Sequence, residues 1–170
     1  MVISDGVRPH RDAARDVGPL DLVAAIDATW FGAGLPEASR ERLALLAHTF
    51  EAPAGTRLLV EATETRELGL VLAGRLVLRT STLAGGSTSL LTIDPGDIYG
   101  WSAILPPFLA TSTVVALEPV RILAFEGARL RAALRRDHEL AANLYQQVLE
   151  AVVRRLDATR HHESGTARGR

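Results

Sequence analysis

A short stretch from Gly96 to Ala116, GDIYGWSAILPPFLATSTVVA, carries the side chains best suited to holding a small ligand. Ser102, Thr111 and Ser112 offer hydroxyl groups, and Trp101 offers a flat aromatic face. The pattern predicts a turn, one helical turn, a proline-stiffened loop and a strand, a shape that could hold a phosphate. Phosphate sites usually also carry a fixed positive charge, yet this stretch contains no Arg, Lys or His.

The chain lacks most of the side chains on which enzymes and metalloproteins depend. All 19 basic residues are Arg, and there is no Cys, which excludes Schiff-base lysines, the P-loop lysine and thiolate metal sites. No His occurs between Phe50 and Arg136, so this part of the chain lacks the His ligands that a metal-dependent cupin enzyme needs on its strands. His161, His162 and Glu163 have the spacing of metal ligands but lie in a polar tail, and we interpret them as surface residues. We therefore expect no enzyme, no metal and no certain cofactor.

Hydrophobic periodicity divides the chain into three blocks. Apolar spacing predicts helices at residues 20–30 and 36–49, with Gly32 and Gly34 breaking the helical pattern between them. Short Val-, Leu- and Ile-rich runs separated by turn residues fill 51–125 and predict an antiparallel jelly-roll barrel. Helices return at 127–160, so the fold class is mainly β with flanking helices. Residues 1–18 and 161–170 are polar and are predicted to be disordered.

The last helix carries two apolar stripes. Leu140, Leu144 and Val148 form one, which we expect to pack on the barrel. The other is an alternating three- and four-residue seam that suits a second helix, and it predicts a homodimer. The alternative is that both stripes pack within one chain. The dimer residues predicted on this seam are Tyr145, Leu149, Val152 and Leu156.

Several short matches resemble the cyclic nucleotide-binding domain of the catabolite-activator (CRP/FNR) family. FGAGLPEASRERLALLA is similar to the opening helices of that family, and PAGTRLLVEATETRELGLVLAGRLVL to its first strands, with Gly55 and Gly74 at family glycine positions. LLTIDPGDIYG resembles the approach to the phosphate-binding cassette, and TSTVVALEPVRILAF the strands that follow. The resemblance covers roughly residues 28–158 and implies a ligand-sensing module without its own DNA-binding domain.

Three positions depart from the family pattern. The glutamate that holds the ribose hydroxyl is replaced by Trp101, and the arginine that pairs with the cyclic phosphate is replaced by Ala110. A strand-turn glycine is replaced by Ala62. Losing one partner of a buried charge pair costs about 2–5 kcal/mol, so the resemblance implies weakened binding of cAMP or cGMP. Another arginine could supply the missing charge; the alternatives in the barrel are Arg57, Arg75 and Arg79.

The resemblance still implies a pocket at the phosphate-binding cassette, which is the loop of residues 100–113 in this sequence. We expect the N–H groups of residues 102–104 to face a ligand there. Trp101 either stacks on a flat ligand or fills the space of one. The predicted ligand-binding residues are Gly100, Trp101, Ser102, Ala103, Ile104, Ala110, Thr111 and Ser112.

Two functions remain open at this point, and a CRP/FNR-type transcriptional regulator that lacks its own DNA-binding domain is a third, less favoured one. In one, a small ligand binds the cassette and the C-terminal helix passes the signal to an unknown protein partner. In the other, Trp101 plugs the pocket and the chain is a constitutive dimeric scaffold. The net charge of −1 and the short segment after the long helix argue against nucleic-acid binding, and the lack of a long apolar run against a membrane span. We expect a bacterial cytoplasmic protein.

Overall fold

Helices flank a block of strands along the chain. The computed structural model describes residues 19–81 and 86–166, so the predicted N-terminal arm lies outside the described residues. The first helices are α1 (Pro19–Asp27), α2 (Trp30–Ala33) and α3 (Glu37–Ala44). The strands are β1 (Ala47–Ala52), β2 (Arg57–Leu59), β3 (Glu67–Ala73), β4 (Leu76–Ser81), β5 (Ser87–Ile93), β6 (Ile98–Tyr99), β7 (Thr113–Ala116) and β8 (Val120–Glu126). The last helices are α4 (Gly127–Arg136) and α5 (His138–Thr166).

The strands form two four-stranded sheets, in the orders β1-β8-β3-β6 and β2-β7-β4-β5. Neighbouring strands are antiparallel throughout. A buried cluster that includes Val71, Leu76, Ile93 and Ile122 draws residues from both sheets. Burying one apolar face of each sheet against the other stabilises this arrangement. The predicted jelly-roll fold class with flanking helices is confirmed.

The second predicted helix, 36–49, was too long. Helix α3 ends at Ala44, and β1 begins at Ala47. Strand β1 pairs with β8 over its whole length, from Ala47 opposite Phe125 to Ala52 opposite Val120. The apolar spacing after α3 fits both the helical period and the two-residue period of a strand. Pairing with β8 decides in favour of a strand.

The first predicted helix, 20–30, also ends earlier than expected. Helix α1 stops at Asp27, and Thr29 caps the next helix by accepting a hydrogen bond from the Gly32 amide at 3.0 Å. Gly32 therefore lies inside α2 rather than breaking a helix. A Cβ atom on Gly32 would lie 1.9 Å from the Ile26 carbonyl oxygen, so the glycine permits the close approach of α2 to α1.

A second apolar core joins the helices to the sheet that contains β3 and β8. Leu68 and Phe125 from these strands pack in it with residues of α1, α2, α3, α4 and α5. The predicted inner stripe of α5, Leu140, Leu144 and Val148, is buried in the same cluster, as expected. Helix α5 is thereby fixed against the barrel along its first half.

The other side of α5 is exposed. Leu149 and Leu156 are 63% and 54% exposed, Tyr145 is 40% exposed, and Val152 is half-buried. Val153, which the predicted seam left out, is 49% exposed. The helix continues to Thr166, so residues 161–166 are helical and not part of a disordered tail. Within residues 19–81 and 86–166, no helix is long and apolar enough to cross a membrane.

Candidate functional site

The predicted ligand-binding residues begin with a sharp turn at Gly100. This residue follows β6 with φ 75° and precedes a single 3₁₀ turn at Trp101–Ala103. A Cβ atom on Gly100 would lie 2.5 Å from the Glu67 carbonyl oxygen of β3. The left-handed backbone and this close approach both require glycine. The turn therefore fixes where the Trp101 and Ser102 side chains begin.

A small cavity lies beside this turn, between the two sheets and α5. Its volume is about 20 Å³, which is room for about one water molecule. Five predicted site residues line it: Gly100, Trp101, Ser102, Thr111 and Ser112. The other lining residues are Leu59, Leu78, Tyr99, Val114 and Arg155.

Three predicted site residues do not line the cavity. Ala103 and Ile104 are buried in the helical core, and Ala110 is also buried. The Ala103 and Ile104 amides donate to the carbonyls of Gly100 and Trp101, at 2.9 and 3.0 Å. The expectation that these two amides face a ligand was wrong, because the 3₁₀ turn uses them internally.

Ala110 is held by the loop before β3. Its amide donates to the Thr63 carbonyl and its carbonyl accepts from the Ala62 amide, both at 2.8 Å. Ala62 has φ 62°, which is costly for a residue with a Cβ atom. Ala62, which the resemblance places at a family glycine position, therefore adopts a left-handed backbone although it has a Cβ atom.

The cavity's positive charge comes from Arg155, which the sequence did not single out. Arg155 lies on α5, and its Nη2 atom donates to the Ile98 carbonyl at 2.8 Å. Its guanidinium carbon is 4.6 Å from the centroid of the Trp101 ring, within range of a cation–π contact. Burial lowers the pKa of Arg155 to about 10, partly opposed by the charge of Asp97, so the side chain is still protonated at pH 7.

None of the three arginines proposed from the sequence is among the cavity's lining residues. Arg75 is exposed and pairs with Glu118 at 3.3 Å, and Arg57 is exposed. Arg79 is half-buried on β4. Arg155 was missed because its contact joins residues that are far apart in the sequence.

The neighbouring Arg154 makes a parallel contact. Its guanidinium carbon lies 4.2 Å from the centroid of the Trp30 ring. The Trp30 indole N–H donates to Asp97 Oδ1 at 2.9 Å. Consecutive arginines of α5 thus lie over the two tryptophans of the chain, and we call Arg154, Arg155, Trp30 and Trp101 the arginine–tryptophan clamp.

A third arginine, Arg131 of α4, ties the far end of the cassette to the helices. Its Nη1 atom donates to the Ala103 carbonyl, and its guanidinium carbon lies 4.5 Å from the centroid of the Phe108 ring. Arg131 therefore satisfies a carbonyl at the end of the 3₁₀ turn. Both C-terminal helices contact the cassette directly.

The structure offers little for metal or acid–base chemistry. In the described part of the chain, no group of three or more His, Cys, Asp or Glu side chains lies close enough to hold a metal ion. Burial raises the pKa of the Tyr99 phenol, and the charge of Glu67 adds to this effect. Tyr99 is therefore neutral in the cavity wall. The lining carries the hydroxyl groups of Tyr99, Ser102, Thr111 and Ser112 and the guanidinium of Arg155, which are groups suited to binding rather than to catalysis.

Solved structures with the same fold come from bacteria and protozoa. A candidate cyclic nucleotide-binding protein from Geobacter metallireducens is 28% identical, with a TM-score of 0.70 over 82% of this chain and 98% of that one. A cyclic nucleotide-binding domain from Methylobacillus flagellatus is 15% identical, with a TM-score of 0.73 over 89% and 85%. The regulatory subunit of a cAMP-independent protein kinase A from Trypanosoma cruzi, bound to guanosine, is 18% identical, with a TM-score of 0.59 over 78% and 50%.

Sequence comparison agrees with the fold. No protein of curated function matches the chain. The family model for the cyclic nucleotide-binding domain matches residues 49–137, just over half of the 170 residues. This span includes most of β1, all of β2 to β8, the cassette and α4. The chain therefore belongs to the cyclic nucleotide-binding domain family.

Proposed function

We propose that this chain is a non-catalytic regulatory module that binds a small ligand at the cassette and signals through α5. The observation that carries this proposal is the position of Arg155, which is a residue of α5 and part of the cavity wall. A ligand that enters the cavity must displace or contact this side chain. Occupancy of the site and the position of the helix are then linked, as a two-state sensor requires.

The size of the cavity bears on affinity. Drug-sized ligands occupy pockets of roughly 300–1,000 Å³, whereas this cavity measures about 20 Å³. Binding therefore requires an open state in which Trp101 or α5 has moved. The apparent affinity is reduced by the fraction of molecules that are open. We expect weak binding of a cyclic nucleotide, together with a large structural response.

We also propose a homodimer through the exposed side of α5. Tyr145, Leu149, Val153 and Leu156 are separated by four, four and three residues, so they share one helical face. A second copy of the same helix would cover this stripe in a coiled-coil-like contact. Ligand-driven movement of α5 would then alter the dimer, which is the route to a partner protein.

A second function is favoured by the same small cavity. If Trp101 and Arg155 fill the site permanently, the chain is a constitutive dimeric scaffold. The closed geometry supports this alternative, and the clamp would then contribute only to stability. The two functions differ in whether any ligand opens the site.

One experiment separates the sensor from the scaffold. The protein is titrated calorimetrically with cAMP, cGMP and guanosine up to millimolar concentrations, and tryptophan fluorescence is followed in parallel. Guanosine is included because a protein of the same fold is bound to it. Saturable heat with a fluorescence change supports the sensor, since both tryptophans lie under residues of α5. No heat and unchanged fluorescence with all three compounds would favour the scaffold.

A further inference from the structure

We infer that Arg155 supplies the phosphate-binding charge of this site, so that the ligand is an anion held by α5 rather than by the cassette. This inference rests on the proposed function and deepens it. It assigns to the helix a contact that the family pattern places at the position of Ala110. The ligand class is a small cyclic phosphodiester or a similar organic phosphate.

The charge balance of the cavity is the first argument. Arg155 is the cationic residue among the lining residues, and no carboxylate is among them. Ser102, Thr111 and Ser112 contribute neutral hydroxyls, and Tyr99 keeps its proton. Asp97 acts on Arg155 from outside the lining. The Arg155 guanidinium would attract an anion in this partly dehydrated site, where charge interactions are strong, and the charge of Asp97 would oppose part of that attraction.

The donor geometry is the second argument. A guanidinium carries five N–H donors in a planar fork that matches a phosphate. The Nη2 contact with the Ile98 carbonyl and the stacking on Trp101 hold this fork at the cavity wall. Ser102, Thr111 and Ser112 line the same cavity and provide further hydrogen bonds to phosphate oxygens. These groups together form an anion site built from the cassette and the helix.

The origin of the charge has a regulatory consequence. In a site whose cation lies on the cassette, the ligand and the helix are coupled indirectly. Here the phosphate would bind a residue of the helix itself, so phosphate binding and the position of α5 would be coupled directly. A ligand without a phosphate would gain nothing from Arg155 and would leave α5 unrestrained.

The test compares cAMP with adenosine, which lacks the phosphate, on four forms of the full chain. These are wild type, Arg155→Gln, Arg155→Lys and Arg154→Gln. The last is a matched control, because Arg154 contacts Trp30 and is not a lining residue of the cavity. Affinity is measured by calorimetry, and amide hydrogen exchange of α5 reports its position.

We expect wild type to prefer cAMP over adenosine by about 30-fold or more. Arg155→Gln should lose this preference and the cAMP-dependent protection of α5. Arg155→Lys should keep part of the preference for cAMP over adenosine. Arg154→Gln should keep nearly all of that preference, because Arg154 is not a lining residue of the cavity, even if α5 exchanges faster in this variant. Partial retention by lysine shows that the charge matters and that the fold survives substitution.

Two results would overturn the inference while the proposed function stands. One is undiminished cAMP affinity in Arg155→Gln, and the other is equal binding of cAMP and adenosine by wild type. Absence of binding by either compound or guanosine, with unchanged hydrogen exchange in α5, would overturn the inference and the sensor function together.

Discussion

Substitution of Gly100 by alanine should destabilise the protein by distorting the turn that leads into the cassette. The left-handed backbone costs an alanine about 1–2 kcal/mol. The added Cβ would also lie 2.5 Å from the Glu67 carbonyl, which belongs to a strand paired on both sides, with β6 and β8. Overpacking of this kind costs about 1–3 kcal/mol, and the stiffer unfolded chain returns about 0.4–1 kcal/mol. We expect a net loss of about 3 kcal/mol.

Gly55→Ala is the matched control. Gly55 has φ 84°, but nothing lies within 4 Å of the position of its Cβ. It therefore bears the backbone cost without the contact, and we expect a net loss of about 1 kcal/mol. Urea unfolding followed by far-UV circular dichroism measures both values, and a thermal melt should show a drop of roughly 6–12 °C for Gly100→Ala.

Equal losses for the two variants would refute the reasoning. They would mean that the loop has room to move away from β3, so that the close approach at Gly100 does not fix the position of Trp101. A larger loss at Gly100, together with weaker ligand binding, would show that this turn sets both stability and the site.

Further predictions concern the strained loop, the dimer surface and the charge of the site. Ala62→Gly should raise the unfolding free energy by about 1 kcal/mol, because relief of the left-handed backbone exceeds the added entropy of the unfolded chain; a loss in urea unfolding would argue against strain at φ 62°. Leu149→Glu should weaken self-association by about tenfold or more in sedimentation equilibrium, whereas Ala128→Glu, at an exposed position of α4, should not; equal effects would move the interface elsewhere. Arg155 is charged below its pKa of about 10 and neutral above it, so cAMP affinity should be flat from about pH 6 to 9 and fall above about pH 10; a midpoint near neutrality would assign the contact to another group.

Much of the fold could be predicted because its signals are local. Alternating apolar residues and turn glycines such as Gly74 mark the strands, and the spacing of Leu140, Leu144 and Val148 marks the buried face of α5. The first part of the strand at 47–52 was predicted as helix because its apolar spacing also fits a helix, and only pairing with the distant β8 decides between them.

The site was less predictable for the same physical reason. The turn at Gly100 and the hydroxyls of Thr111 and Ser112 follow from the local pattern. Nothing near Arg155 in the sequence distinguishes it from the other arginines, because its role depends on how α5 packs against β6 and Trp101. The hydrogen bonds that the Ala103 and Ile104 amides donate within the cassette likewise depend on the 3₁₀ geometry of the turn at Trp101–Ala103.

The arginine–tryptophan clamp limits how α5 can move. Consecutive residues of a helix project about 100° apart around its axis, so Arg154 and Arg155 contact two separate parts of the molecule, Trp30 of α2 and Trp101 in the cassette. Rolling the helix in either direction would pull at least one guanidinium off its ring. A hinge in which the end of α5 lifts away from both rings would release the two contacts at once. With this geometry, a signal carried by α5 would be a change in the angle of the helix rather than a rotation about its own axis.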